Sequence, residues 1–118
     1  MKYTDSHEWI QVENGVGTVG VTRFAAQELG EITSVGLPEV GVVLKAGEEG
    51  AVLESCKAAA DIYSPVSGTI LATNPNASSH INQAPEGEGW LFKIAVSHPS
   101  EVDALLSEEQ YVSLVSPR

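Results

Sequence analysis

The sequence has few of the residues that build disulfide, metal and phosphate sites. Only one of its 118 residues is a cysteine, Cys56, which excludes a disulfide framework and a multi-cysteine zinc site. Its three histidines, His7, His80 and His98, lack the H-x-x-H and H-E-x-x-H spacings of common metal sites. The sequence also contains no glycine-rich phosphate loop and no nucleophile elbow. These absences disfavour metalloenzymes, nucleotide-binding enzymes and serine hydrolases.

Basic residues are also scarce. The chain has 6 lysines and arginines against 16 acidic residues, for a formal charge of −10. A negatively charged surface repels phosphate backbones and anionic lipids, so we expect neither a nucleic-acid nor a membrane partner. No apolar run approaches the roughly 20 residues needed to span a bilayer, and residues 1–5 resemble neither a signal nor a transit peptide. We therefore expect a cytoplasmic protein.

The apolar residues are numerous enough for one core. Hydrophobic residues make up 42% of the chain, and its length suits a single domain of residues 1–118. Residues 9–13 and 16–21 alternate in polarity around Asn14-Gly15, the strongest short-range signal for a β-hairpin. Pairing across this turn predicts a buried face that consists of Ile10, Val12, Val19 and Val21.

Further short segments with turns between them predict a mainly β fold. The expected strands cover residues 32–35, 42–44, 51–53, 62–63, 69–72 and 90–96. In the last of these, Phe92 and Ile94 are expected to face the core and to alternate with Leu91 and Lys93. The pattern favours a small sandwich or barrel with helical additions.

The expected helices are short. One covers residues 24–29 and ends at Gly30, whereas residues 74–89, rich in polar residues, proline and glycine, read as a loop. Pro99 is expected to open a helix that runs through Leu106. The last helix is predicted to begin with a capping box of Ser107 and Gln110.

Residues 54–61, E-S-C-K-A-A-A-D, are the most informative for function. Lys57 lies at the centre of a predicted hairpin tip, and its small neighbours leave the ammonium open to a modifying enzyme. An exposed lysine at a turn is also compatible with a simple solvated charge. Cys56 beside it is either a reactive thiol, since a nearby cation favours the thiolate, or a small side chain that is packed or simply tolerated.

A longer segment around Lys57 resembles a known family. Residues 52–68, V-L-E-S-C-K-A-A-A-D-I-Y-S-P-V-S-G, resemble the lipoyl-lysine segment of the glycine cleavage H-protein family. Matches of the same kind follow the family's order along nearly the whole chain. They cover residues 3–9, with S-H-E-W, and residues 19–30, 37–41, 45–48 and 87–91.

The resemblance implies a fold and a modification site. The family fold is a barrel-sandwich hybrid of two antiparallel sheets with a lipoyl hairpin, one short internal helix and C-terminal helices. Lys57 matches the residue that carries covalently bound lipoic acid. Glu54 and Gly68 match the positions that lipoate-attaching enzymes recognise in the family.

The resemblance also implies a carrier function. Ser6, Glu8 and Asp61 match residues that line the cleft for the loaded arm; otherwise, Glu8 and Asp61 would be solvated surface carboxylates and Ser6 a turn residue. The resemblance implies a carrier and not an enzyme. The carrier shuttles an aminomethyl group and reducing equivalents among the P protein (glycine decarboxylase), the T protein (aminomethyltransferase) and the L protein (dihydrolipoyl dehydrogenase), and we expect a monomer.

Several alternatives share parts of this pattern. Arg23, Gly36 and residues 74–84 depart from the family's usual residues, which leaves open a lipoyl relay outside glycine cleavage. A biotin carrier domain normally has its lysine between two methionines, and a 2-oxoacid dehydrogenase lipoyl domain usually has D-K-A. Neither pattern is present here. A thiol enzyme would depend on Cys56 and not on Lys57.

Overall fold

The computed structural model describes residues 1–116, which form two antiparallel sheets with short helices at their margins. The strands are β1 Lys2–Tyr3, β2 Glu8–Glu13, β3 Val16–Val21, β4 Ile32–Gly36, β5 Val43–Leu44, β6 Glu49–Ser55, β7 Ala59–Tyr63, β8 Gly68–Thr73 and β9 Phe92–Val96. The helices are α1 Arg23–Leu29, α2 Ala77–His80, α3 Pro99–Asp103 and α4 Glu108–Val115. The predicted mainly β class with C-terminal helices is confirmed.

The two sheets share one hydrophobic core. Six strands form the larger sheet, in the order β1-β2-β3-β9-β8-β5, and three form the smaller one, in the order β4-β6-β7. Neither sheet closes into a barrel within residues 1–116. Side chains from both sheets, such as Phe92 of the larger and Leu53 of the smaller, belong to one buried cluster. The architecture is therefore a sandwich, with β6 and β7 forming a hairpin in its smaller sheet.

The first hairpin has the predicted register. Val16 pairs with Glu13, and Val19 pairs with Ile10. Asn14 and Gly15 form the turn with φ angles of 52° and 79°, the left-handed values that a tight hairpin turn requires. On the predicted inner face Ile10, Val19 and Val21 are buried, and Val12 is half-buried.

The segment leading into β9 differs from the simple alternation. Phe92 and Ile94 are fully buried, as predicted, but so is Leu91, which was expected on the other side. Leu91 precedes the strand, and its N–H donates to the carbonyl of Val19 (2.8 Å). Because Leu91 lies outside the regular ladder, the period of two does not apply to it.

Two helical predictions need correction. Residues 74–89 are not a continuous loop, because they contain α2, a second internal helix. Its ends are held by the buried Asn74, whose amide donates to the carbonyl of Trp90 (2.9 Å), and by Ile81, which is fully buried. The helix opened by Pro99 stops at Asp103 instead of running through Leu106.

The early end of α3 follows from strand pairing. The N–H and C=O groups of Leu106 both bond to Tyr3, at 2.8 Å each, which draws Leu106 into an extended bridge beside β1. The predicted capping box of α4 is confirmed. Ser107 accepts from the Gln110 N–H (3.2 Å), and the Gln110 side chain accepts from the Ser107 N–H (2.9 Å).

We expect Phe92→Ala and Ile94→Ala to lower the free energy of unfolding by roughly 2–5 kcal/mol, because each empties space at the centre of the core. Lys57→Ala should change it by no more than about 0.5 kcal/mol, since Lys57 is exposed. Chemical denaturation of the three variants measures the difference. Equal midpoints for all three would contradict the core assignment.

Candidate functional site

The β6–β7 hairpin places Lys57 at its tip. Ser55 closes the turn, because its N–H donates to the carbonyl of Ala58 (2.8 Å) and its hydroxyl accepts from the N–H groups of Lys57 (3.3 Å) and Ala58 (3.2 Å). Cys56, Lys57 and Ala58 are all exposed. Cys56 is therefore not a packed side chain.

The lysine side chain extends toward the end of α1. Gly30 caps that helix with a φ of 81°, and its N–H donates to the carbonyl of Ala26 (3.2 Å). A Cβ built on Gly30 would lie 3.5 Å from Cε of Lys57. Any side chain there would also be strained by the positive φ. The glycine thus ends the helix, and a Cβ in its place would make only ordinary van der Waals contact with the lysine.

A groove of about 280 Å³ lies between the hairpin and α1. It has three walls: the loop before β2, one face of α1, and β7. The lining residues are Ser6, His7, Phe24, Ala25, Glu28, Leu29, Ala60, Asp61 and Ile62. Asp61 and Glu28 are exposed carboxylates, while Phe24 and Leu29 add half-buried apolar surface. Such a lining suits an apolar chain that ends in a cation.

Ser6 and Asp61, both candidates from the sequence, share this groove, but Glu8 does not line it. Glu8 lines a second cavity of about 330 Å³, bounded by Tyr3, Ser64 and Leu105 among others. Ser6 borders both spaces.

Glu8 is a buried carboxylate, only 1% exposed, so the alternative of a solvated surface residue is wrong for it. Its Oε1 accepts from the hydroxyls of Thr4 (2.5 Å) and Ser6 (2.7 Å), and its Oε2 accepts from the Tyr63 N–H (3.2 Å). Burial raises the pKa of Glu8 above its ordinary value, although these hydrogen bonds and the nearby His7 oppose the shift. Glu8 therefore fastens the Ser6 loop to the end of β7.

The two candidate recognition residues lie in different sheets. Glu54 is exposed on β6, paired with Ala59 beside the hairpin tip. Gly68 is buried in β8 of the larger sheet, where a Cβ would lie 1.9 Å from the carbonyl oxygen of Ala95. This contact gives Gly68 a packing role of its own.

The groove residues that sequence reasoning missed include His7, Phe24 and Glu28. A helical spacing of four puts Phe24 and Glu28 on one face of α1, and this signal was available from the predicted helix. His7 has no comparable local signal. Its position depends on Tyr111 of α4, whose hydroxyl lies 2.8 Å from its Nδ1.

Within residues 1–116, no group of three or more His, Cys, Asp and Glu side chains is arranged to hold a metal ion. None of the helices in that part of the chain is long and apolar enough to cross a membrane.

Known proteins resemble this chain in both sequence and fold. The family model for glycine cleavage H-protein matches residues 1–118. A glycine cleavage system H protein of Thermotoga maritima is 49% identical over 113 residues, which cover 93% of this chain and 91% of that protein. One of Caulobacter vibrioides is 46% identical over 114 residues, 94% of each chain.

The crystal structure of a glycine cleavage system H protein from Mycobacterium marinum matches with a TM-score of 0.87 at 35% identity, covering 95% of this chain and 93% of that one. The same two-sheet architecture thus accompanies the sequence match. Because the family model spans the whole sequence and these relatives align over nearly all of it, the chain belongs to the glycine cleavage H-protein family.

Proposed function

We propose that this chain is the lipoyl-lysine carrier of a glycine cleavage system, a non-catalytic domain of residues 1–118 with lipoic acid in amide linkage to Lys57. The observation that carries the proposal is the exposed position of Lys57 at a hairpin tip beside a groove with apolar and acidic walls. Family membership supports it. When bound, the lipoyl dithiolane supplies the thiol–disulfide chemistry that accepts an aminomethyl group and electrons.

The hairpin presents the lysine to several enzymes. Cys56 and Ala58 are small and exposed, so a modifying enzyme can surround the Lys57 amine without displacing packed side chains. Glu54 lies beside the tip and is our proposed contact for the lipoate-attaching enzyme. Acylation of Lys57 changes the formal charge from −10 to −11, because the hairpin tip loses its one positive charge.

The groove holds the arm between encounters with enzymes. Phe24 and Leu29 pack against its methylene chain, and the cationic amine of the cargo lies near the carboxylates of Asp61 and Glu28. A charge-assisted hydrogen bond in a partly enclosed site is stronger than one in open water. Ser6, fixed by its hydrogen bond to Glu8, supplies a polar contact on the third wall.

The partners follow from this carrier role. They are the P, T and L proteins and a lipoate-attaching enzyme, and the chain acts as a monomer. Tethering raises the effective concentration of the cargo at each docked enzyme. The chain itself binds, shields and presents the cargo, and the three partners supply the catalytic groups.

The test is exchange of labelled carbon dioxide into the carboxyl group of glycine, catalysed by the P protein. We expect the lipoylated chain to support exchange and the unmodified chain, prepared without lipoate, to give only background. A lipoylated chain that supports no exchange but donates its lipoyl group to a 2-oxoacid dehydrogenase domain would replace this proposal with a lipoyl relay.

Asp61→Asn and Glu28→Gln should each speed the spontaneous loss of cargo from the loaded arm by about two- to fivefold, the range of a partly exposed ion pair. The arm is loaded with the P protein, which is then removed, and release of formaldehyde and ammonia is followed. Glu13→Gln is the matched control, because it removes the same charge at the far end of β2. Equal rates in all four proteins would mean that these carboxylates do not hold the cargo.

A further inference from the structure

One buried hydroxyl connects two walls of the groove. Tyr111 of α4 is only 5% exposed, and its phenol oxygen lies 2.8 Å from Nδ1 of His7 and 2.7 Å from Oγ1 of Thr22. His7 belongs to the loop wall, whereas Thr22 is the N-cap of α1, the helix wall. Tyr111 itself does not line the groove.

The Tyr111 hydroxyl can form both hydrogen bonds at the same time. A tyrosine phenol keeps its proton near neutral pH, and burial raises the pKa of Tyr111 further. With one hydrogen, the phenol donates to one partner and accepts from the other, whichever tautomer His7 adopts. Thr22 also accepts from the Ala25 N–H (3.3 Å), which joins the same chain of bonds to the first turn of α1.

The Tyr111 ring is held by packing, and the histidine that it contacts has an unusual backbone conformation. The Tyr111 ring stacks on Tyr3 with centroids 4.8 Å apart and planes 10° apart. His7 has a φ of 74°, a left-handed value that residues other than glycine rarely adopt. The carbonyl of His7 accepts from the Thr22 N–H (3.0 Å), and its ring lies 4.9 Å from that of Phe24. The His7 loop is thus bonded to the start of α1 twice, once directly and once through Tyr111.

We propose that Tyr111 is a positioning residue, which holds the His7 loop against α1 and so fixes the groove that shields the loaded arm. The C-terminal helix α4 acts on the groove through this hydroxyl, although none of its residues lines the groove. The proposal rests on the proposed function for the groove's role, but the connection itself exists in the unmodified protein.

Tyr111→Phe and Tyr3→Phe form a matched pair. Each removes one phenol hydroxyl from the same stacked pair of rings, but within residues 1–116 the only hydrogen bond of the Tyr3 hydroxyl is to the sulfur of Met1 (3.5 Å). In the unmodified chain we expect Tyr111→Phe to speed hydrogen exchange at the Thr22 amide by about two- to tenfold, the range for loss of one hydrogen bond. It should also shift the ring resonances of His7, whereas Tyr3→Phe should do neither.

In the lipoylated, loaded chain the same variant should speed spontaneous loss of cargo by about two- to tenfold, while the rate of lipoylation stays at the native value. His7→Ala should also speed this loss, although it removes part of the groove wall as well. In the double variant His7→Ala/Tyr111→Phe the effect should be smaller than the sum of the two single effects, because the His7–Tyr111 hydrogen bond can be lost only once. This second route keeps the test valid if Tyr111→Phe folds poorly.

The outcomes are separable. Equal exchange and equal cargo loss in Tyr111→Phe and Tyr3→Phe would overturn the proposal, as would additive effects in the double variant. Failure of Lys57 to accept lipoate would overturn the proposed function but leave the exchange measurement as a test of Tyr111.

Discussion

We expect Lys57→Arg to abolish attachment of lipoate: after incubation with a lipoate-attaching enzyme, the intact mass of the variant should stay unchanged, while that of the native chain should rise by one lipoyl group. Acylation needs a nucleophilic amine, which the lysine side chain provides. The arginine guanidinium stays protonated and delocalised, so it is no nucleophile, although it keeps the charge and approximate length of the side chain. Loss of modification should therefore be complete.

The chain contains its own controls for this experiment. Lys45→Arg makes the same exchange at another turn lysine and should leave modification intact. Cys56→Ser should also be modified normally, because the thiol has no part in forming the amide. Lipoate found by peptide mapping at Lys2, Lys45 or Lys93 would contradict the assignment, and an activity lost in Cys56→Ser but kept in Lys57→Arg would favour a thiol enzyme.

Local features were predictable from the sequence because nearby residues determine them. The turn at Asn14-Gly15 and the capping box of Ser107 and Gln110 each depend on a few adjacent positions, and the structure has both. The end of α1 at Gly30 belongs to the same group, since a positive φ there needs only the local backbone. The hairpin that carries Lys57 was visible for the same reason.

Features that depend on distant contacts were not predictable in the same way. Glu8 is bonded to its neighbours Thr4 and Ser6, but it is also held by the N–H of Tyr63, 55 positions away, and this contact accompanies its burial. A glutamate in an alternating strand gives no sign of such a partner. The early end of α3 likewise depends on pairing between Tyr3 and Leu106.

The groove combines both kinds of information. Family resemblance pointed to Ser6 and Asp61, which the fold brings to one groove, and also to Glu8, which it places on the neighbouring cavity. Glu28 belongs to the groove only because α1 packs with that face toward β7. The sequence therefore indicated which segments form the candidate site, but it did not indicate which of their carboxylates line the groove.

Two explanations for the glycine at position 68, recognition by an enzyme and packing within the fold, lead to different predictions. Gly68 matches a position that lipoate-attaching enzymes recognise in the family, but in this chain it is buried in β8 at the pairing with β9. A Cβ there would lie 1.9 Å from the Ala95 carbonyl oxygen and 2.9 Å from Cγ1 of Ile94. The first contact is with backbone, which cannot move without breaking the pairing of β8 with β9. The geometry therefore accounts for a glycine at this position without any contact to an enzyme.

We expect Gly68→Ala to lower the free energy of unfolding by more than about 3 kcal/mol, at or beyond the upper end of ordinary overpacking, because the clash is with the ladder itself. Gly36→Ala is the matched control. It makes the same change in another strand, where the nearest atom to the added Cβ is 3.7 Å away, so it should stay within about 0.5 kcal/mol. Chemical denaturation of both variants measures this difference.

Lipoylation of the same variants then separates the two roles of Gly68. At low temperature, where a destabilised chain is still folded, a packing role predicts that Gly68→Ala is lipoylated at the native rate per folded molecule. As temperature rises, its modification should fall in step with the folded fraction, since the hairpin and the larger sheet share one core. A variant as stable as the native chain but lipoylated slowly would instead make Gly68 a contact for the attaching enzyme.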